Sequence, residues 1–487
     1  MGARLSQLVR RELPVDPFIQ GVTADSRKVR EGFLFAALPG SKIDGRAFAA
    51  GAVSSGAAAV LAAEAMPELA VPVVASADPR RAYALAAAHF WGKQPPVVVA
   101  VTGTNGKTSV AAFCRQIFNA CGHRAASMGT LGVYATGPDG FQAQLTPPGL
   151  TTPDAADVAE LAAKLAEMGV THLALEASSH GVDQRRLDGL TISAAGFLNL
   201  TQDHLDYHGT MEAYRAAKLR LFDTLLPRGG TAVLNADSDA YGAFASTAVS
   251  AGQEVISVGE AGQGLRLVSR EPTPEGQRLI VAHGHEVFDV RLPLVGGYQA
   301  SNALVAAGLC IAAGEAADRV MAALATLEGA PGRLQRVGTG RSGGEAYVDY
   351  AHTPDGLITV LEALRPHVSG RLIVVFGAGG DRDRGKRPLM GQAAAALADI
   401  AIVTDDNPRN EDPAAIRAEV MAGAAGLLEV GDRRAAIRAG VAQLNEGDVL
   451  VIAGKGHEQG LTIAGVVHPF DDVTETALAL SGEPAHG

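Results

Sequence analysis

Between residues 346 and 457 the chain repeats one pattern four times, an apolar run ending in a polar or glycine-rich turn: AYVDYAH, RLIVVFGAGG, ADIAIVTDDN and DVLVIAGKGH. Helix-like stretches separate the four. Near-continuous apolar runs read as strands buried on both faces, and strand–helix alternation sets such strands side by side in a parallel sheet. The predicted fold of this region is a doubly wound, Rossmann-like sheet. Ligands of such sheets sit at the carboxyl ends of the strands, and all four polar turns fall on that edge.

The same alternation occurs upstream. Strands are expected at Val97–Val101, His172–Glu176, Gly196–Leu200 and Ala232–Asn235, and helices at Lys107–Ala120, Ala155–Met168 and Met211–Leu225. Residues 251–295 are richer in strands and turns, and GYQASNALVAAGLCIAAG reads as a helix. Near the N-terminus, short strands at Gly32–Ala37, Ala58–Ala62 and Val71–Ala75 precede a helix that Asp78-Pro79 opens and that runs to about Trp91. The breaks Gly92-Lys93-Gln94-Pro95-Pro96 and Gly329-Ala330-Pro331-Gly332 mark domain boundaries. The expected organisation is α/β throughout: a small N-terminal domain (1–93), a central phosphate-loop ATPase domain with a mostly parallel sheet (94–330), and the doubly wound C-terminal domain (331–487). A chain of 487 residues has room for about three domains.

Composition narrows the functional classes. A formal net charge of −11 disfavours non-specific nucleic-acid binding, so anionic ligands must be held by local clusters, of which GGDRDRGKRP (379–388) is the densest. No apolar run reaches membrane length, and MGARLSQLVRRELPVD lacks the long apolar core of a signal peptide. Cys114, Cys121 and Cys310 form neither an even framework nor a C-x-x-C pair, which fits a reducing, cytoplasmic compartment.

The stretch VVVAVTGTNGKTSVAAF (97–113) reads as strand, phosphate loop and helix. In the usual G-x-x-x-x-G-K-[ST] frame the first glycine would fall on Val101, so the match is the shorter G-x-x-G-K-T. Backbone N–H groups from Gly103 to Ser109 would cradle phosphate oxygens, Lys107 would reach the outer phosphates, and the Thr108 hydroxyl would hold Mg²⁺. Glu176 ends an apolar strand at the same edge, as either a Mg²⁺ ligand or a solvated strand-end carboxylate. Asp203, His204, Asp206 and His208 crowd one loop. The four-residue spacing of His204 and His208 would suit zinc on a helix, but Gly209 follows at once and no third ligand completes a set; a Mg²⁺-linked role and a hydrogen-bonded turn stay open. Lys218, inside an amphipathic helix, reads from the residues alone as solvated.

Taken together, TGTNGKTS, LEASSHG, NLTQDHLDYHGT, EAYRAAKLRLF, SNALVA, PGRLQ, DYAHTPDGL, VFGAGGDRDRGKRP, TDDNPRNEDP and GKGHE resemble the Mur ligases, ATP-dependent amide-bond-forming enzymes of peptidoglycan precursor synthesis. DSRKVREGFLFAALPG (25–40) extends the likeness to nearly the whole chain, and the shortened loop is the form this family uses. Leu150 and Gln335 depart from the pattern at positions where some relatives carry a polar and an acidic residue.

The resemblance implies a set of roles. Ala24, Ser26, Ser41, Lys42 and Ile43 would face the UDP-sugar, and Thr151, Thr152, Ser178, Gln184 and Arg186 the muramoyl-dipeptide. Gly103, Thr104, Asn105, Gly106, Lys107, Thr108, Ser109, Asn302, Arg333 and Asp349 would contact ATP. Thr108, Glu176, His204 and a carbamoylated Lys218 would serve Mg²⁺, with Lys107, Glu176, His204 and Lys218 carrying the chemistry. Arg382, Asp406, Asn407, Pro408, Arg409, Gly454 and Glu458 would select the incoming amino acid, and DNPR at Asp406–Arg409 points to meso-diaminopimelate joined to UDP-N-acetylmuramoyl-L-Ala-D-Glu. The implied protein is a cytoplasmic monomer with small-molecule substrates and no nucleic-acid or membrane partner. A lysine-adding relative, a folylpolyglutamate synthetase-like ligase and a nucleotide switch without ligase activity are the competing readings.

Overall fold

The computed structural model describes residues 2–40, 43–273 and 275–482. The chain divides into two compact units, Met1–Arg266 with Leu304–Ala323 and Leu267–Ala303 with Leu324–Gly487.

In the first unit, the strands Gly21–Thr23, Phe33–Ala37, Ala57–Ala62 and Val73–Ala75 form a small all-parallel sheet in that order. The helix Pro79–Trp91 covers it, burying Tyr83, Ala84, Ala86 and Ala87 against Leu34, Ala59 and Leu61. Its ends follow the sequence. Asp78 accepts from the Arg81 N–H at 3.0 Å, Pro79 occupies the first turn, and Gly92 closes the helix at φ +68°.

A larger sheet of the same unit runs in the order Gln142–Thr146, Gly132–Thr136, Ala125–Gly129, His172–Glu176, Val97–Thr102, Ala194–Phe197, Thr231–Asn235, Glu254–Gly259. The first two strands are an antiparallel meander on Ala125–Gly129; the rest are parallel. Val98, Val99, Ala100 and Val101 are all buried, as a central parallel strand requires. From Val97–Thr102 the chain first builds outward on one side and later returns to place Ala194–Phe197 on the other. That reversal opens a crevice at the carboxyl end of Val97–Thr102, the expected place for a ligand.

The helix expected over Met211–Leu225 is α-helical only for Met211–Arg220 and widens to a π turn at Leu221–Leu225. Gln253 explains the change: its buried amide donates to the carbonyls of Phe222 and Leu226, satisfying oxygens that the wider turn releases.

The second unit contains the antiparallel hairpin Gly276–His283/Glu286–Leu292 and a six-stranded sheet. The sheet order is Gln335–Thr339, Glu345–Asp349, Val449–Ala453, Leu372–Phe376, Ile400–Val403, Leu428–Glu429. All neighbours are parallel except the first pair, an antiparallel edge. Side chains alternate as a doubly wound sheet demands. Leu372, Val374 and Phe376 pack with the helices Pro354–Leu364 and Lys386–Leu397, while Ile373 and Val375 pack with Arg433–Ala442 and Asp472–Ser481.

Candidate active site

The turn after Val97–Thr102 is held open by side chains rather than by a helix cap. Asn199 Oδ1 accepts from the N–H groups of Thr104 and Asn105 at 3.1 and 2.9 Å, and its amide donates to Asn105 O at 3.2 Å. Gly106 has φ +90°, a conformation glycine adopts without strain, and the helix Lys107–Ala120 starts at the next residue. A Cβ on Gly103 would lie 2.8 Å from Leu198 Cβ, so that position has no room for a side chain. The Lys107 amine donates to Gly103 O and Thr104 O at 2.8 and 2.7 Å, folded over its own loop. Ser109 is buried one residue beyond Thr108.

Glu176 is not the solvated strand end that the sequence left open; only 3 % of it is exposed. The strand His172–Glu176 pairs in register with Val97–Val101, which sets its last residue beside the loop. Thr108 Oγ1 donates to Glu176 Oε2 at 3.1 Å, the Thr130 N–H to Oε1 at 2.8 Å, and Thr130 Oγ1 to Oε2 at 3.3 Å. Gly129 makes this possible, since a Cβ there would stand 2.0 Å from Glu176 Oε1. The hydroxyl chain continues outward. Thr130 Oγ1 meets Thr151 Oγ1 at 3.0 Å, Thr152 Oγ1 donates to Glu176 O at 2.8 Å, and Ser178 Oγ lies 2.9 Å from Thr152 Oγ1. Arg186 closes the row, donating to Thr152 O at 2.6 Å and Gln184 Oε1 at 2.7 Å.

Lys218 corrects the sequence reading most sharply: it is 1 % exposed. Its amine donates at 2.8 Å to Gly103 O, a carbonyl that also accepts from Lys107, and lies 4.4 Å from the Tyr214 ring centroid. Burial, then the Lys107 charge, push the Lys218 amine well below the ordinary lysine range, with Asp203 opposing weakly. The Tyr214 hydroxyl in turn meets Thr104 Oγ1 at 3.2 Å.

His204 has φ +52° and precedes the single helical turn Leu205–His208, with its ring 6.2 Å from that of Tyr214. Its ring packs edge-on against His180 at 4.8 Å, and His180 also contacts Tyr207 and His208 at 4.1 and 5.4 Å. His208 Nε2 meets Ser179 Oγ at 3.0 Å, so that histidine is engaged in the turn rather than paired with His204. Burial and the neighbouring imidazoles hold His180 below its usual value.

Ala24, Ser26 and Ile43 line a separate cavity of about 960 Å³ in the first unit, which Tyr83, Trp91 and Asp154 also border. Ser41 and Lys42 lie outside the described residues.

In the second unit, the strand-end turns gather a polar cluster. Asp349 is buried at the end of its strand and accepts from the N–H groups of Leu334 and Ala351 at 2.7 and 2.8 Å; burial raises its carboxyl, against the pull of Arg333. The Arg333 guanidinium stacks over Tyr350 at 4.5 Å. Asn302 bonds to Gln299 at 3.1 Å, and Gln299 to Arg333 O at 3.3 Å. Asn407 is the hub of the next turn. Its amide donates to Glu458 Oε2 at 2.8 Å, and its Oδ1 accepts from Lys455 and the Thr462 N–H at 3.2 and 2.9 Å. Asp406 Oδ1 accepts from the Asn407 N–H at 2.6 Å. Gly454 has φ +121°, and a Cβ there would meet Asp406 Oδ2 at 2.6 Å.

Arg409 does not cap the helix Pro413–Met421, which Asp412 caps. It has φ +52°, follows the buried Pro408, and donates to Gly380 O at 2.6 Å. Arg382, two residues beyond Gly380, is exposed. The residues that sequence reasoning missed are Gly129, Thr130, Asn199, Tyr214 and Lys455, of which Asn199, Tyr214 and Lys455 lie inside quoted motifs without an assigned role.

A glycine loop with lysine and threonine, a buried carboxylate beside it, and a parallel α/β scaffold define a phosphate-loop nucleotide-binding protein. Three family descriptions match in order along the chain: "Mur ligase family, catalytic domain" over 18–91, "Mur ligase middle domain" over 101–310, and "Mur ligase, glutamate ligase domain" over 332–456. The chain belongs to the Mur ligase family, the ATP-dependent amide-bond-forming enzymes, and has its three-domain architecture. It is 72 % identical over 486 residues, all of both chains, to the UDP-N-acetylmuramoyl-L-alanyl-D-glutamate–2,6-diaminopimelate ligase of Caulobacter vibrioides. The enzyme of the same name from Agrobacterium fabrum is 53 % identical over 95 % of this chain and 93 % of that one. A solved structure of a ligase of that name matches 99 % of both chains at 36 % identity and a TM-score of 0.75.

Proposed function

We propose that this chain joins meso-2,6-diaminopimelate to the D-Glu γ-carboxylate of UDP-N-acetylmuramoyl-L-Ala-D-Glu, with ATP converted to ADP and phosphate. A carboxylate and an ammonium do not condense readily in water, because the leaving group is poor. Phosphorylation of the carboxylate by ATP supplies a good one. The γ-carboxylate oxygen attacks the γ-phosphorus and ADP leaves; the neutral amine then attacks the acyl carbon and expels phosphate. The observation that carries this reading is the Thr108–Glu176–Thr130 nest beside the Lys107 loop, with the buried Lys218 amine on the same Gly103 carbonyl.

Two anions must approach each other in the first step, so cationic help is required. Lys107 supplies it to the outer phosphates, and Gly103, Gly106 and Ser109 offer backbone N–H groups to orient them, while the Thr104 and Asn105 N–H groups are taken by Asn199 Oδ1 and hold the loop in shape. The Thr108 hydroxyl and Glu176 carboxylate are hard oxygen donors 3.1 Å apart, a set that suits Mg²⁺ and that His204 would serve with an imidazole. Mg²⁺ held there would neutralise charge on the transferring phosphoryl group. Lys218 joins this set as a carbamate. Burial favours its neutral amine, whose nitrogen can attack carbon dioxide and release one proton, turning that amine into a carboxylate. Asn302, Arg333 and Asp349 serve the nucleotide.

Ala24, Ser26 and Ile43 border the cavity assigned to the UDP-sugar, with Ser41 and Lys42 expected to join them. Thr151, Thr152, Ser178, Gln184 and Arg186 take the muramoyl-dipeptide. Arg409 and Arg382 present guanidinium forks to the distal carboxylate of diaminopimelate, with Glu458 for its ammonium and Asp406, Asn407, Pro408 and Gly454 shaping the turn. We place the domain boundaries near residues 93 and 330, between the segments that the family descriptions match. Among the described residues no helix is long and apolar enough to cross a membrane, and these substrates are those of a cytoplasmic enzyme.

Phosphate release tests the proposal. It should require ATP, UDP-muramoyl-dipeptide and meso-diaminopimelate together. Release supported instead by glutamate and a folate would identify a folylpolyglutamate synthetase-like ligase, and no release with any amino acid would leave only a nucleotide-binding module.

A further inference from the structure

At the amino edge of the central sheet, at the opposite end of its strand from Glu176, the first unit assembles two imidazoles and a carboxylate. His123 follows the C-terminus of the phosphate-loop helix, His172 begins the strand that ends in Glu176, and Glu315 follows the helix Gly297–Ala312. His123 Nε2 lies 2.7 Å and His172 Nε2 3.9 Å from the same Glu315 oxygen, and all three ligand atoms fall within 4.8 Å of one another. The rings lie 4.0 Å apart, centroid to centroid. The second nitrogen of His172 is engaged by Thr171 Oγ1 at 2.8 Å, the outer hydrogen bond that metal-bound imidazoles commonly make, and it leaves Nε2 turned to Glu315.

We propose that His123, His172 and Glu315 form a second metal site, for a borderline transition-metal ion such as Zn²⁺, separate from the phosphate loop. Two imidazoles and a carboxylate are a zinc ligand set, whereas Mg²⁺ prefers oxygen alone. Ligand atoms around a tetrahedral zinc stand roughly 3.3 Å apart, so the 2.7 Å pair would open and the 3.9 Å pair close by about 0.6 Å each, and the widest pair, within 4.8 Å, would close by up to about 1.5 Å. His123 is one-third exposed and provides the entry path. The ion would tie the far end of the phosphate-loop helix to the far end of the Glu176 strand, so its signature is stability, independent of the ligase reading.

The test uses the full-length protein, stripped with chelator and kept in excess Mg²⁺ so that the phosphate-loop site is occupied. Titration with Co²⁺ should show one equivalent with intense, low-coordinate visible bands, and Zn²⁺ should displace it and raise the thermal midpoint by several degrees. His123→Ala, at a part-exposed position, should fold, lose the bands and lose the Zn²⁺-induced shift; Glu315→Gln should weaken Co²⁺ binding at least tenfold. No bands in the unmodified protein, or bands and a thermal shift unchanged in His123→Ala, would overturn the proposal.

Discussion

Lys107 and Lys218 donate to one carbonyl oxygen, Gly103 O, and their removal should silence the enzyme alike but differ in its effect on the pH dependence of stability. Lys107 lies at the helix start over the loop, so Lys107→Ala should abolish turnover, by three orders of magnitude or more, with circular dichroism and melting unchanged. Near-normal kcat in that folded variant would contradict the role. Lys218 is buried, and folding lowers its affinity for a proton. The unfolded chain therefore binds more protons there, and stability rises with pH between the lowered value and the ordinary 10.5. In protein stripped of carbon dioxide, Lys218→Met should thus be at least as stable as the unmodified chain at neutral pH and lose that part of the upward slope, while being nearly inactive. Lys218→Ala should regain some activity with formate or acetate. Arg409 tests specificity. A guanidinium left without its carboxylate is unpaired, so meso-diaminopimelate should exceed L-lysine in kcat/KM by about 10⁴-fold. Arg409→Ala should narrow that gap mainly by raising KM for diaminopimelate.

At the scale of elements, strand ends deliver the chemistry, and small changes between strands should disturb it. Gly129→Ala would push a Cβ into the space of Glu176 Oε1, so kcat should fall at least tenfold while the fold survives. In the second unit, the fully buried pair Arg433–Asp472, at 2.7 Å, joins the helices Arg433–Ala442 and Asp472–Ser481, and Arg433 also donates to Ala453 O beside Gly454. Asp472→Ala leaves a buried guanidinium unpaired and should destabilise the protein by about 3–5 kcal/mol in denaturant unfolding. The same elements show what a sequence can convey. Val97–Thr102 and Leu372–Phe376 are dense in β-branched and apolar residues, and both strands stand where the pattern put them. The strand Ala125–Gly129 is AASMG, with no β-branched residue, and becomes a strand only because its neighbours pair with it. The π turn at Leu221–Leu225 depends on Gln253, about thirty residues away, which no local pattern reports. Glu176 and Lys218 were visible as residue types, but their burial depends on Gly129, Thr130 and Gly103 arriving from other segments. For Asp203, His204, Asp206 and His208 the sequence left a Mg²⁺-linked role and a hydrogen-bonded turn open, and His208 is engaged by Ser179, while the histidine–carboxylate set combines residues 123, 172 and 315, too far apart in sequence to suggest one another.

For the whole molecule, family membership fixes the reaction class and the residues on the page argue its route. The central claim is that ATP energy passes through a phosphorylated γ-carboxylate. Oxygen labelling follows that passage directly. UDP-muramoyl-dipeptide carrying ¹⁸O in both oxygens of the D-Glu γ-carboxylate is turned over with ATP and meso-diaminopimelate, and phosphate and product are weighed by mass spectrometry. The attacking carboxylate oxygen stays with phosphorus when the amine expels phosphate, so each turnover should yield one singly labelled phosphate, one ADP and a tripeptide product retaining one label. Unlabelled phosphate, with one label kept in the new amide and the other lost to water, would contradict the account.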